Sequence, residues 1–133
     1  MPKTLPQKFF LKEGYRILVV QPPKNFLTER LVPLPEKAAV ITQNEFDHYD
    51  VLIYFVKTQQ DADAALPTAV DLLLPDSYLW LCYPKGGKKA AIPTDLNRDS
   101  LWEIAVKFDL KAVHQISIDD TWSALRFRWE DSP

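Results

Sequence analysis

Four short segments of this chain carry residues able to hold an anion. Lys57 follows an apolar run, and Lys85-Gly86-Gly87-Lys88-Lys89 follows another. Arg98 stands in Asn97-Arg98-Asp99, and the tail holds Asp119-Asp120-Thr121-Trp122. Ammonium and guanidinium groups pair with phosphate or carboxylate, and a Gly-Gly backbone can expose its N–H groups to the same anion. Arg98 lies close to a helix start, where unpaired N–H groups and the helix dipole also favour negative charge. Asp120 could serve as a base beside these cations, and Trp122 as a stacking surface. Each has a plainer role: a solvated lysine loop, a capping segment around Arg98, turn chemistry for Asp119 and Asp120, and a hydrophobic lid for Trp122. Adjacent carboxylates in extended chain point to opposite sides, which argues against a shared-proton pair.

Other chemistry is thinly represented. His48 and His114 are far apart and Cys82 is the one cysteine, so no closed Cys/His zinc site can form. Cys82 lies within an apolar run and reads as a buried, inert thiol. There is no Gly-x-Ser-x-Gly, HExxH or GxGxxG pattern. The residues call for no cofactor and identify no reaction.

The elements that must position these groups follow from apolar patterning. Residues 16–20, 38–42, 51–56 and 78–83 read as strands. The runs at 51–56 and 78–83 are continuously apolar, as in strands covered on both faces. Apolar residues at three- and four-residue spacing over 59–74 predict a helix, with Pro67 either kinking it or opening a second one. Asn97 or Asp99 caps a further helix carrying Leu101, Ile104, Ala105 and Phe108, and Ser100 to Glu103 also has capping-box spacing. Strands at 112–118 and 123–129 are joined so tightly that they must be antiparallel. In the second of these, Leu125, Phe127 and Trp129 share one face and Ala124, Arg126 and Arg128 the other. Strands alternating with helices predict one α/β domain over 1–133, its mostly parallel sheet of about six strands ending in an antiparallel strand. In such sheets, ligands bind beyond the carboxyl ends of the strands, where Gln21, Lys57, Lys85 and Asp120 are expected to meet.

Bulk properties narrow the function. The chain has 133 residues, 47% of them hydrophobic and 26% charged, an ordinary globular balance. A net charge of −2 supplies no global field for nucleic acid or anionic membrane. No apolar run is long enough to span a bilayer, no signal-peptide core is present, and a single cysteine suits a reducing compartment, so a cytoplasmic protein is expected. Single-strand nucleic-acid binding would need exposed aromatics beside cations; Arg126 and Arg128 around Phe127 come closest, but Phe127 reads as buried.

Two stretches resemble the class I methyltransferase-like Rossmann fold. Residues 11–20, Leu-Lys-Glu-Gly-Tyr-Arg-Ile-Leu-Val-Val, look like the lead-in to its first strand, and residues 72–81, Leu-Leu-Leu-Pro-Asp-Ser-Tyr-Leu-Trp-Leu, like its fourth-helix exit and fifth strand. Tyr83-Pro84-Lys85, Thr94-Asp95-Leu96-Asn97-Arg98-Asp99 and the run from Asp119 to Phe127 resemble an uncharacterised bacterial domain-of-unknown-function family. The resemblance implies a reduced, three-layer Rossmann-like domain. Where methyltransferases carry a glycine-rich loop approaching S-adenosylmethionine, this chain has Gln21-Pro22-Pro23-Lys24. Proline lacks an N–H and fixes φ, so it can neither cradle an anion nor make a tight glycine turn. No acidic residue ends the second strand to hold a ribose; Asn44 and Glu45 are the nearest polar groups.

The sequence therefore reads as a non-catalytic α/β module binding a protein partner or a small anionic metabolite at the strand ends, a homodimer being compatible with it. The alternative is a divergent methyltransferase-like or other enzyme with a nonstandard cofactor or phosphate pocket, in which Lys57, Lys85 and Arg98 hold the anion.

Overall fold

The continuous apolar runs lie where two covering layers meet the sheet. The computed structural model describes residues 3–86 and 91–131. Strand β3 (Tyr49–Phe55) turns Leu52 and Tyr54 into one core cluster and Val51, Ile53 and Phe55 into the other. Strand β4 (Leu73–Pro84) divides Leu79, Leu81 and Tyr83 from Trp80 and Cys82 in the same way. With no polar face to alternate, both runs must be apolar throughout.

Strands β1 (Arg16–Val20), β2 (Ala39–Ile41), β5 (Leu110–Ser117) and β6 (Trp122–Trp129) complete one six-stranded sheet in the order β2-β1-β3-β4-β6-β5. The β2-β1, β1-β3 and β3-β4 pairs are parallel, and β6 is antiparallel to both its neighbours. The expected α/β domain, mostly parallel with one reversed strand, is what the chain forms. Its three layers are unequal. Helices α2 (Gln59–Leu72) and α3 (Arg98–Val106) cover one face through Ala62, Leu66, Ala69, Leu101, Ile104 and Ala105. The other face is covered by the short helix α1 (Leu5–Lys8), the segment that follows it and one wide helical turn at Phe26–Arg30, which bury Leu5, Phe9, Phe26 and Leu31.

Several local choices left open by the sequence are settled by hydrogen bonds. Helix α2 runs through Pro67 as one element, capped by the Thr58 hydroxyl, which accepts from the Asp61 N–H at 3.1 Å. Asn97 caps α3: its Oδ1 accepts from the Ser100 N–H, and Ser100 Oγ accepts from the Asn97 N–H, both at 2.9 Å. Strand β4 starts at Leu73, earlier than the apolar run suggests, because Leu73 pairs with Tyr49 before the register shifts. Helix α1 was not legible in the hydrophobic pattern, yet Thr4 and Gln7 form a capping box around it. Among the described residues, no helix is long and apolar enough to cross a membrane.

Candidate functional site

The chain leaves β1 for β2 on one side and returns to β3 on the other, so the strand order reverses between β1 and β3. At such a point the connecting segments diverge and leave a crevice beyond the strand ends. A cleft of about 1060 Å³ lies there. Leu18, Val20, Tyr54, Ala65, Ile92 and Trp122 supply apolar wall, and Gln21, Lys24, Asn44, Lys57, Asp61 and Thr68 supply polar groups.

The turn out of β1 contains no glycine, yet it is made. Gln21 takes φ 58° and Asn25 φ 66°, the left-handed conformation that glycine adopts most easily. The expectation that a proline-rich segment cannot make this turn is thus corrected: the residue before the prolines carries the strained dihedral. The second half of that expectation stands on chemistry, since Pro22 and Pro23 bring no N–H to the cleft they line. At the end of β2, Asn44 lines the cleft, and its Oδ1 accepts from the Tyr49 hydroxyl at 2.8 Å. This leaves an amide N–H₂, a donor, where a ribose-binding carboxylate would be an acceptor.

Lys57 is fixed through its backbone. Its N–H donates to Asp61 Oδ2 at 3.1 Å, and its carbonyl accepts from Thr94 Oγ1 at 2.6 Å. Beside it, Asp95 Oδ1 accepts from the Gln59 N–H at 2.8 Å, while Gln59 Nε2 donates to the Asp95 carbonyl at 2.9 Å. Thr94 and Asp95 therefore clamp the segment that enters α2. Burial, with a lesser contribution from Tyr49, pushes the Tyr54 phenol up to about 12, keeping it a neutral hydrogen-bond donor.

Of the residues singled out in the sequence, Gln21, Asn44, Lys57 and Trp122 line the cleft. Trp122 is also buried, edge-on to Phe55 at 5.0 Å, as a lid on the hairpin would be. Lys85 is turned to β5, where its Nζ donates to Ser117 Oγ at 2.6 Å. Gly86 is exposed and a Cβ there would meet nothing. Gly87 and Lys88 lie outside the described residues. Arg98 opens α3 near Tyr83, and Asp120 is exposed; neither lines the cleft. Asp119 makes turn bonds, its Oδ1 accepting from the N–H groups of Thr121 and Trp122 at 2.8 and 2.9 Å. Lys24 and Tyr54 also line the cleft and carried no signal in the sequence that marked them as ligand residues. Among the described residues, no three His, Cys, Asp or Glu side chains converge to hold a metal.

This donor set does not fit S-adenosylmethionine in the manner of a glycine-rich loop, because Pro22 and Pro23 bring no backbone N–H and Asn44 stands where the ribose carboxylate would follow β2. It offers the ammonium groups of Lys24 and Lys57, the amides of Gln21 and Asn44, and the carboxylate of Asp61.

No family model and no curated protein matches the sequence. Solved structures do match in shape. A SAM-dependent methyltransferase from Aquifex aeolicus superposes with a TM-score of 0.67 at 13% identity, over 91% of this chain and 85% of that one. DhpI, solved as a complex with SAH, gives 0.63 at 7% identity over 96% and 81%. A putative methyltransferase from Thermoplasma acidophilum gives 0.58 at 10% identity over 98% and 77%. The chain thus has the Rossmann-like fold seen in SAM-dependent methyltransferases.

Proposed function

We propose that this is a divergent methyltransferase-like protein whose strand-end cleft binds a nucleoside-class small molecule bearing an anionic group. The observation that carries the reading is the cleft at the β1–β3 reversal, where Lys24 and Lys57 stand beside the apolar side chains Tyr54, Ile92 and Trp122. A flat ring system suits the apolar wall, and the two ammonium groups suit a phosphate or carboxylate. The likeness to structures that include a SAH complex favours a nucleoside over other flat ligands. Gln21 and Asn44 add amide donors, and the Tyr54 phenol one more. The ligand is held by side chains where a methyltransferase would use backbone.

Calorimetric titration with AMP, SAH and S-adenosylmethionine tests this. AMP is expected to bind, and Lys57→Ala to weaken it about tenfold, the scale of one charge-assisted hydrogen bond. If none of the three binds, the reading fails and a module for a protein partner takes its place.

A further inference from the structure

The face of the sheet opposite α2 and α3 carries a cluster of cations and rings with no part in the cleft. Arg126 of β6 stands in register with Trp80 of β4 and His114 of β5, and Arg128 with Lys111. Paired residues share a face, so alternation brings these groups to one side of the sheet. The Arg126 Cζ lies 4.2 Å from the Tyr78 ring centre and 4.6 Å from that of Phe10, with Trp80 at 5.9 Å. His114 meets Phe10 at 5.6 Å.

Among the described residues, this guanidinium is held by rings and not by carboxylates. Its Nε is buried and donates to nothing among the described residues, and neither does the buried indole N–H of Trp80 in the same cluster. Burial lowers the Arg126 pKa, and the charge of Arg128 lowers it further; the one group raising it is the phenol of Tyr78. Stacked rings satisfy the faces of a guanidinium but leave its N–H edge in need of acceptors. A half-buried cation whose buried Nε–H is unmet lacks, among the described residues, an acceptor that carries negative charge.

We propose that this cluster is a second anion site, which takes a phosphate group, free or as a monoester, on the edge of Arg126 with Lys111 and His114 beside it. The planar fork of arginine matches phosphate oxygens two at a time. A dianion suits a place where Arg126 and Lys111 come to one face, better than a single carboxylate does. None of these residues lines the cleft, so the site is independent of the function proposed above.

The arginine Nε–H resonance in a ¹H–¹⁵N spectrum reads this site directly. Titration with inorganic phosphate is expected to shift the Arg126 signal saturably, and Lys111→Ala and His114→Gln to weaken binding about tenfold together. Both altered side chains stand outside the buried core, so the fold is retained. Phenyl phosphate, run in parallel, separates two sources of the same chemistry: tighter binding than phosphate assigns the site to an aromatic monoester, and equal binding assigns it to phosphate alone. A signal that fails to move, or that moves no more than with chloride at equal ionic strength, overturns the proposal. So does saturable binding unchanged in the double variant.

Discussion

Replacing Gln21 by glycine should make the protein more stable and its cleft weaker. Gln21 holds φ 58° at the end of β1 and its side chain is exposed, so the substitution removes strain without opening a cavity. A non-glycine residue in the left-handed region costs ~1–2 kcal/mol. Glycine returns ~0.4–1 kcal/mol of that through the greater freedom of the unfolded chain. The difference leaves about 0–1.5 kcal/mol of stabilisation, or a rise of up to roughly 5 °C in Tm for a domain of this size. Gln21→Val should move the other way by about 1 kcal/mol, because a β-branched side chain is crowded further at positive φ. Urea unfolding at constant m reads both changes as shifts in midpoint. Ligand binding should weaken in the glycine variant by ~1 kcal/mol, roughly fivefold in Kd, since one neutral hydrogen-bond donor leaves the cleft. A strained functional residue is marked by this opposition between stability and affinity. A glycine variant less stable than the parent, with valine tolerated equally, would refute the reasoning.

Four further outcomes follow from particular contacts. Asn97→Ala removes the α3 cap and should cost about 1 kcal/mol in urea unfolding. Thr94→Val deletes the bonds to the Lys57 carbonyl and the Leu96 N–H, and should cost about 1–2 kcal/mol while also weakening AMP binding in calorimetry. Cys82 is fully buried with its thiol pushed well above the usual range, so alkylation at pH 8 should proceed only at the rate of unfolding. Tyr54 titrates higher in the folded chain, at about 12, than its ordinary 10.0, so its neutral form contributes stability in full below pH 10. That contribution is lost as pH rises from 10 to about 12, and Tyr54→Phe should flatten this part of a stability-against-pH curve.

Much of the architecture was legible because it rests on local patterning. Val51 to Val56 and Tyr78 to Tyr83 are apolar on both faces, and only a strand between two layers needs that. The tight Asp119–Thr121 link forced β5 and β6 antiparallel, and Asp119 supplies the turn bonds. The candidate site was less legible. Its general place, beyond the strand ends, followed from the fold class, and Lys57 and Trp122, named among the strand-end residues, line the cleft there. The lysine-flanked glycines drew attention toward Lys85, but a hydrogen bond to Ser117, 32 positions away in sequence, turns that side chain to β5. The segments that resemble a family signature prove to be fastenings: Thr94 and Asp95 clamp the entry to α2, Asn97 caps α3, and Asp119 and Trp122 close the hairpin.

By itself, the sequence determined where the six strands and the two longer helices lie, that the last strand reverses, and that Pro22 and Pro23 offer no backbone donors. These are properties of neighbouring residues and of proline's covalent structure. Tertiary structure alone decided which charged groups meet. Lys24 and Lys57 come to one cleft, and Arg126, Lys111 and His114 to one face, because strand order and register carry residues far apart in the chain to adjacent positions. It also decided that Gln21 takes the left-handed conformation glycine adopts most easily, against the residue's own preference.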